Sequence, residues 1–250
     1  MYTKKQATGR KGSTMHITAM TYNICSGRNL EGVRDLGFAA AVIRQYQPDF
    51  VTLNEVRSHT QDIGPVNQAQ ELGKRTGYYP VFGRSIDILG GEYGNALLTR
   101  LPLLEQEVIH IPDPEPAGEG FYEHRSILRA VLLAGDRTIT VLCTHFGLME
   151  DEQTLAVQTV LNTLKTETNP VLLMGDLNLT PEAETLAPIR SALCDTSPDG
   201  LPRTFPSDKP EIKIDYILHT PHFTCESLIS PDTQCSDHRP LMARLAVHSF

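Results

Sequence analysis

The feature of this sequence that most constrains its fold is a set of polar side chains placed where apolar, strand-like runs end. The positions are Asn23 after MTY, Glu55 after FVTLN, His145 after TVLCT, Asp176 and Asn178 after VLLM, Asp215 within IKIDYIL, and Asp237 and His238 before RPLMARL. A carboxylate beside a buried strand costs several kcal/mol unless it is paired or bound to a metal ion. Because strand ends of packed α/β sheets converge on one edge, we interpret these residues as members of one site.

Apolar periodicity predicts strands that alternate with helices. Strands are predicted at 17–24, 50–53, 79–82, 95–99, 126–133, 138–143, 171–174, 212–219, 223–229 and 241–247. Helices are predicted along the apolar stripe from Val33 to Tyr46, at 67–76 and at 155–164. Thr180 is predicted to cap a further helix, with Pro181 at its first position.

The order of these elements predicts the architecture. Two halves of the chain each run strand, helix, strand and then hairpins, and no Gly/Ser-rich linker separates them. We therefore predict an α/β (α+β) protein built as a four-layer sandwich, with two packed mixed β-sheets flanked by helices. Residues 15–250 are predicted to form this single domain, and residues 1–14 a disordered tail.

Composition restricts the classes of function. The chain has 22 Lys and Arg against 30 Asp and Glu, a net charge of −8. This balance argues against a protein that coats nucleic acid, although a nuclease with a local basic groove stays open. No apolar run reaches the ~20 residues of a membrane helix. The five cysteines are scattered and form no CxxC pair, so we predict reduced thiols and a cytoplasmic location.

The residue types at the strand ends narrow the chemistry. Carboxylate and amide oxygens without a nearby thiolate favour Mg²⁺ or Mn²⁺ over zinc. Such a metal together with histidines suits phosphoester hydrolysis, whereas a glycosidase needs two carboxylates and no histidine. The sequence contains neither a GxSxG nucleophile motif nor a GxxxxGK[ST] phosphate loop.

Seven motifs follow one another along the chain: YNIC at 22–25, PDFVTLNEV at 48–56, YGNALLTRLPL at 93–103, THF at 144–146, GDLN at 175–178, KIDYIL at 213–218 and SDHRPL at 236–241. Together they resemble the endonuclease/exonuclease/phosphatase superfamily, which has the fold of pancreatic-type deoxyribonuclease. The resemblance spans about residues 16–247, and the combination of GDLN with SDHRPL is its most specific part.

The resemblance implies a metal site and a His–Asp pair. Glu55 is implied as the principal metal ligand, with Asn23 and Asp237 close to the metal and available to a second ion. His238 and Asp215 resemble the family pair in which the acid orients and charges the imidazole. In that interpretation the pair activates the attacking water.

The resemblance also implies groups that handle the phosphate. Asp176 is implied either to orient the nucleophile or to protonate the leaving oxygen. Asn178 and His145 are similar to residues that contact the non-bridging oxygens.

Two further positions depart from the family pattern, and two others have alternative interpretations. Asn54 stands where the family commonly has glutamine. Asn95 stands where pancreatic-type nucleases have the glutamate that pairs with the first histidine. Asn95 lacks that negative charge and is predicted to bind the phosphate of the substrate. Arg125 is predicted to face the phosphate or to form a surface salt bridge with Glu123. Tyr93 is predicted to wall the substrate pocket or to belong to the core.

The leading functional hypothesis is a Mg²⁺-dependent (or Mn²⁺-dependent) phosphoester hydrolase in which water attacks in line. The predicted substrate is a small phosphodiester or phosphomonoester, such as a lipid or sugar phosphate, and long nucleic acid is disfavoured. A DNA endonuclease or exonuclease of the abasic-site repair type is the alternative enzyme. A non-catalytic binding protein on the same fold is the alternative of another class. The sequence identifies no protein partner.

Overall fold

Two six-stranded β-sheets carry the strand ends that the sequence marks. The computed structural model describes residues 15–115, 120 and 122–248, so the predicted tail at 1–14 lies outside the described residues. Within the described part, the strands are β1 (Met15–Asn23), β2 (Phe50–Ser58), β3 (Tyr79–Ile88), β4 (Gly91–Thr99), β5 (Leu103–His110), β6 (Ser126–Ala134), β7 (Arg137–His145), β8 (Val171–Asp176), β9 (Cys194–Asp195), β10 (Asp215–His219), β11 (Phe223–Ile229) and β12 (Leu241–Val247). The α-helices of the same part are α1 (Leu36–Tyr46), α2 (Gln68–Thr76), α3 (Glu150–Thr166) and α4 (Ala187–Ala192).

Both sheets are mixed, which confirms the predicted fold class. The first has the order β11-β12-β1-β2-β4-β3, and the second has the order β5-β6-β7-β8-β10-β9. The pairs β1–β2 and β7–β8 are parallel, while the other neighbouring strands are antiparallel. Parallel neighbours need a crossover, and α1 and α3 supply one in each half of the chain.

The alternation of side chains along the strands builds the four layers. In β1, Ile17 and Ala19 point toward the second sheet and join the cluster that fills the space between the sheets. Met20 and Tyr22 point the other way, into the cluster beneath α1 and α2. A third cluster packs α3 and α4 on the outer face of the second sheet. Each fully buried Leu, Ile or Phe in these clusters stabilises the fold by about 1.5–3 kcal/mol.

Three local predictions were wrong or incomplete. The first helix begins at Leu36, because the Asp35 side chain caps it by accepting a 2.7 Å hydrogen bond from Gly37 N, and Val33 lies outside the helix at 51% exposed. Thr180 does not cap a helix; turns follow it, and α4 begins only at Ala187. Strand β5 was missed, because it is a largely exposed edge strand without a clear apolar period.

The structure also describes the cysteines and the apolar character of the helices. All five cysteines are free thiols. In the described part of the chain, none of the helices has the length and apolar character needed to span a membrane.

Candidate active site

Strand register in the second sheet places three of the marked residues side by side. β7 and β8 are parallel with His145 opposite Asp176, and β8 and β10 are antiparallel with Asp215 opposite Asp176. All three are buried, at 7%, 1% and 0% exposure respectively. The predicted convergence of strand ends is thus realised across three adjacent strands.

The first sheet contributes two side chains to the same place. Asn23 ends β1, and its Nδ2 donates to Glu55 Oε1 at 3.1 Å and to Asp176 Oδ2 at 3.0 Å. Glu55 has a left-handed backbone, with φ of 59°, where the pairing of β2 with β4 is irregular. Such a bulge redirects a side chain from its regular alternation. Asn23 therefore joins Glu55 to Asp176 across the sheet interface.

Asn54 also connects the two sheets at this point. Its Oδ1 accepts a 3.0 Å hydrogen bond from Asp176 N, and its Nδ2 donates to Thr144 O at 2.9 Å and to Asn95 Oδ1 at 2.8 Å. Asn95 in turn donates to Ser126 O at 3.0 Å and is 1% exposed. The contacts of Asn95 are those of a side chain in the sheet interface, so they do not support its assignment to the phosphate.

Close approach of β7 and β8, neighbouring strands of the second sheet, requires a glycine beside Asp176. Gly175 has φ of 142°, and a Cβ at that position would lie 1.9 Å from Thr144 O. Any larger residue would force β7 and β8 apart next to the site. A steric requirement that does not involve substrate thus explains the presence of glycine in GDLN.

Asp176 lies at the centre of the site. Its Oδ2 is 3.6 Å from His145 Nε2 and 3.5 Å from His238 Nε2, and its Oδ1 accepts a 3.0 Å hydrogen bond from Asn178 N. Burial raises the pKa of Asp176 to about 7, although the charge of nearby His238 opposes the shift. A carboxyl group with this pKa exchanges protons readily near neutral pH.

His238 and Asp215 form the predicted pair. His238 Nδ1 lies 2.9 Å from Asp215 Oδ2, and the hydroxyl of Thr204 donates to the same oxygen at 2.6 Å. Burial alone would lower the pKa of His238, but the carboxylates of Asp215 and Asp176 outweigh it and raise the pKa to about 10. The ring of Phe205 lies 4.8 Å from the imidazole, centroid to centroid.

His145 is paired with Arg125. The predicted salt bridge between Arg125 and Glu123 is present, although Arg125 is buried, and the contact of Arg125 with phosphate stays a prediction. Arg125 Nη1 lies 3.0 Å from His145 Nδ1, while Nη2 lies 2.7 Å from Glu123 Oε2. Burial, followed by the charge of Arg125, lowers the pKa of His145 well below its usual value. Because a guanidinium only donates, Nδ1 accepts, and the proton of the neutral imidazole is on Nε2, facing Asp176.

Two predicted phosphate or pocket residues lie at different depths. Asn178 Nδ2 is 3.2 Å from His145 Nε2 and donates to Phe146 O at 3.0 Å. Tyr93 is 8% exposed and packs under the guanidinium of Arg57, 5.8 Å from the ring centroid. Burial raises the pKa of Tyr93. The structure therefore brings Asn178 to His145, and it buries Tyr93 where the charges of Glu55 and Arg125 act on its phenol.

Several carboxylates lie close together in this site, and too few positively charged side chains lie beside them to neutralise their charge. Burial raises the pKa of Glu55, and the charge of nearby Asp237 adds to the shift. In the described residues, the tightest group of potential metal ligands is Asp176, Asp215 and His238, whose donor atoms lie within 4.8 Å of one another. The donor set of oxygens and imidazole nitrogen is one that a divalent cation accepts.

The sequence did not predict the contacts of three residues at the site. Thr204 gave no signal, because its role depends on a loop folding back onto Asp215. Asn54 was noted only as a shorter replacement for glutamine, and its bonds across the sheets were not anticipated. Phe205 had an aromatic, strand-end signal but no indication that its ring contacts His238.

Two packed mixed sheets thus place buried acidic and imidazole side chains together at their strand ends. The sequence matches the Endonuclease/Exonuclease/phosphatase family over residues 20–238. The chain therefore belongs to this family, whose members are phosphoesterases and nucleases that generally depend on a divalent metal.

Solved structures share the fold. An endonuclease/exonuclease/phosphatase from Beutenbergia cavernae is 23% identical, with a TM-score of 0.78 over 94% of this chain and 72% of that one. A mannosyl-6-phosphatase from Bacteroides thetaiotaomicron is 17% identical, with a TM-score of 0.72 over 92% and 99%. The catalytic domain of human Nocturnin, with bound sulfate, is 20% identical, with a TM-score of 0.70 over 93% and 94%.

Proposed function

We propose that this protein is a Mg²⁺-dependent phosphoester hydrolase that uses water as the nucleophile and acts on a small phosphate ester. The observation that carries the proposal is the position of Asp176, whose Oδ2 faces His145 and His238 at 3.6 and 3.5 Å and is joined to Glu55 through Asn23. This spacing would allow the proposed acid, base and phosphate contacts to act on one phosphorus atom.

The metal is proposed to bind at Glu55, with Asn23 and Asp237. Glu55 is a buried carboxylate whose pKa is raised by burial and by Asp237, so a divalent cation would offset two negative charges that otherwise repel. Mg²⁺ is favoured because it takes one or two carboxylates and leaves further positions for phosphate oxygen and water. When bound, the metal supplies positive charge to the scissile phosphate and the leaving oxygen.

Proton transfer is proposed for the group around Asp176. Asp215 holds the Nδ1 side of His238, which turns Nε2 toward Asp176. From this side His238, in its neutral form, would remove a proton from the attacking water. Without metal its pKa of about 10 favours the charged form, and a divalent cation bound at Glu55 and Asp237 would lower that pKa. Asp176 either orients the same water or gives a proton to the leaving oxygen, and its buried carboxyl group is suited to both.

Phosphate contacts are proposed for His145, Asn178 and Arg125. The Nε2–H of neutral His145 faces Asp176, and the contact of Arg125 with Nδ1 fixes that tautomer. Asn178 lies beside the same nitrogen, 3.2 Å away. Donors held in place before the reaction stabilise charge on the non-bridging oxygens without reorganisation.

The charge around the site supports a small substrate. Exposed carboxylates follow two site residues along the chain. Glu150 comes after His145, and Glu182 comes after Asn178 and lines a cavity of about 280 Å³ together with Asp199, Glu211, Arg203 and Lys213. These charges repel a long polyanion but leave room for the alcohol part of a small ester. A sugar or lipid phosphate is proposed, and the fold shared with a mannosyl-6-phosphatase is consistent with that class.

A substrate panel tests the proposal. Initial rates with Mg²⁺ are measured on p-nitrophenyl phosphate, bis-p-nitrophenyl phosphate, hexose 6-phosphates, glycerophospholipid head-group esters and an abasic-site duplex. Asp176→Asn and His238→Gln are expected to lose at least about 100-fold in kcat. His219→Gln is the matched control, because His219 is also buried but lies at the other end of β10.

Full activity in Asp176→Asn would overturn the hydrolase mechanism. A kcat/KM for the abasic duplex that exceeds those of all small esters and falls steeply with salt would overturn only the substrate class. It would establish the repair-type nuclease in its place.

A further inference from the structure

The segment Thr204–Ser207 lies along the segment that carries His238. Thr204 O accepts a 2.8 Å hydrogen bond from Arg239 N, and Ser207 N donates to Asp237 O at 2.7 Å. The Ser207 hydroxyl donates to Ser236 O at 2.6 Å. Thr204 and Ser207 are both fully buried. The loop is thus fixed against the residues that flank the active-site histidine.

Two side chains of this loop contact the His–Asp pair itself. The Thr204 hydroxyl donates to Asp215 Oδ2 at 2.6 Å, which is the same oxygen that faces His238 Nδ1 at 2.9 Å. The other oxygen, Asp215 Oδ1, is buried without a hydrogen-bond partner among the described residues. Phe205 packs its ring against the imidazole at 4.8 Å.

This arrangement makes the carboxylate dependent on one hydroxyl. With no partner for Oδ1, little besides Thr204 and His238 determines the rotation of the Asp215 carboxylate about its Cβ–Cγ bond. If Thr204 stopped donating, the carboxylate and the imidazole could rotate together while keeping their mutual bond. His238 Nε2 would then no longer be held toward Asp176.

We propose that Thr204 and Phe205 are positioning residues for His238: the hydroxyl fixes the Asp215 carboxylate, and the ring limits the tilt of the imidazole. Neither side chain touches the phosphate. The proposal rests on the hydrolase function proposed above, because it assigns a role to the same His–Asp pair. It predicts an effect on kcat with KM unchanged, since substrate contacts are preserved.

The test replaces the hydroxyl and keeps the shape. Thr204→Val is expected to lower kcat on the order of tenfold, Thr204→Ser to restore it, and Phe205→Leu to lower it less. Thr140→Val is the matched control: the Thr140 hydroxyl also donates to a buried carboxylate, Glu167, at 2.8 Å, but far from the site in sequence and register. Its kcat is expected to stay within twofold of the wild type.

A double-mutant cycle distinguishes positioning from general loss of structure. Rates are measured on the folded fraction, set from urea unfolding of each variant. On an Asp215→Ala background, Thr204→Val is expected to have no further effect, because the hydroxyl acts through that carboxylate. A kcat unchanged by Thr204→Val, or an equal loss with and without Asp215, overturns the proposal.

A spectroscopic measurement keeps the two proposals separable. The ring N–H proton of His238 that bonds to Asp215 is followed by ¹H NMR, and Thr204→Val is expected to shift it while Thr140→Val does not. A wild type that hydrolyses no phosphoester rejects the proposed function, and the NMR shift then decides the positioning role alone. An unmoved resonance in Thr204→Val rejects that role.

Discussion

The Asn23 side chain, at the end of a strand in one sheet, donates a 3.0 Å hydrogen bond to Asp176, at the end of a strand in the other. Asn54 crosses the same interface in two further hydrogen bonds, to Thr144 O and from Asp176 N. The site is therefore assembled from two sheets, and buried amides hold the halves together. A buried donor or acceptor that loses its partner costs about 1–3 kcal/mol.

The first prediction concerns Asn54→Ala, which leaves Asp176 N and Thr144 O without their partner. We expect the free energy of unfolding to fall by about 3 kcal/mol, measured by urea denaturation. The matched control is Asn162→Ala, an exposed residue of α3, which should change it by less than about 0.5 kcal/mol. Equal midpoints for the two variants would contradict the role of Asn54 as a link between sheets.

Glu55→Gln should have opposite effects without and with metal. The raised pKa of Glu55 means that its charged form destabilises the folded state once the pH exceeds the folded pKa, so the neutral amide should stabilise the metal-free protein at pH 8. Saturating Mg²⁺, at about 100 times its Kd, should stabilise the wild type by about 2.7 kcal/mol and leave the variant unchanged.

Thermal unfolding in EDTA and in Mg²⁺, together with calorimetric titration, measures both effects. EDTA should also remove the hydrolytic activity of the wild type. A Glu55→Gln variant that gains as much from Mg²⁺ as the wild type would place the metal elsewhere, with Asp176, Asp215 and His238 as the next group to test.

The strand ends were predictable from sequence for a physical reason. Apolar runs such as VLLM and TVLCT stop at a polar residue, and the parallel and antiparallel pairs of the second sheet put those stops in register. Burial of a carboxylate demands a partner, so Asp176 and Asp215 were conspicuous in the sequence. Family resemblance supplied their roles, which the residues alone did not.

The features of the site that the sequence did not predict depend on contacts between segments that are distant along the chain. Nothing local marks Thr204 as the partner of Asp215, since its position follows from how a proline-rich loop packs on Arg239. For Asn95 the sequence does indicate a position between the sheets. Alternation along β4 puts Asn95 on the face of Leu97, which lies between the sheets.

His238 and His145, the two histidines of the candidate site, should titrate on opposite sides of neutrality in the metal-free protein. The pKa of His238, raised to about 10, keeps it protonated at pH 7.5, whereas His145, with a lowered pKa, is neutral there. Nitrogen-detected NMR between pH 5.5 and 9 measures both. Asp215→Asn should lower the pKa of His238, because it removes an adjacent negative charge. A His145 that titrates near 6.5 would refute its burial beside Arg125.

Gly175→Ala should be among the most damaging single changes in the chain. The added Cβ would meet Thr144 O at 1.9 Å, and we expect a loss of at least about 3 kcal/mol in unfolding free energy. Gly32→Ala isolates the backbone contribution, since Gly32 also has a positive φ, of 78°, but has nothing within 4 Å of the new atom. Similar losses for both would mean that backbone conformation, and not the close approach of the strands, requires Gly175.

The position of His238 has a consequence for how the protein is made. Its segment lies between β11 and β12, which return to the first sheet after the second has been completed. A growing chain on the ribosome therefore exposes Glu55, His145 and Asp176 well before the last hairpin can dock. We expect nascent chains that end before β12 to have no hydrolytic activity, so that incompletely synthesised protein does not hydrolyse substrate in the cell.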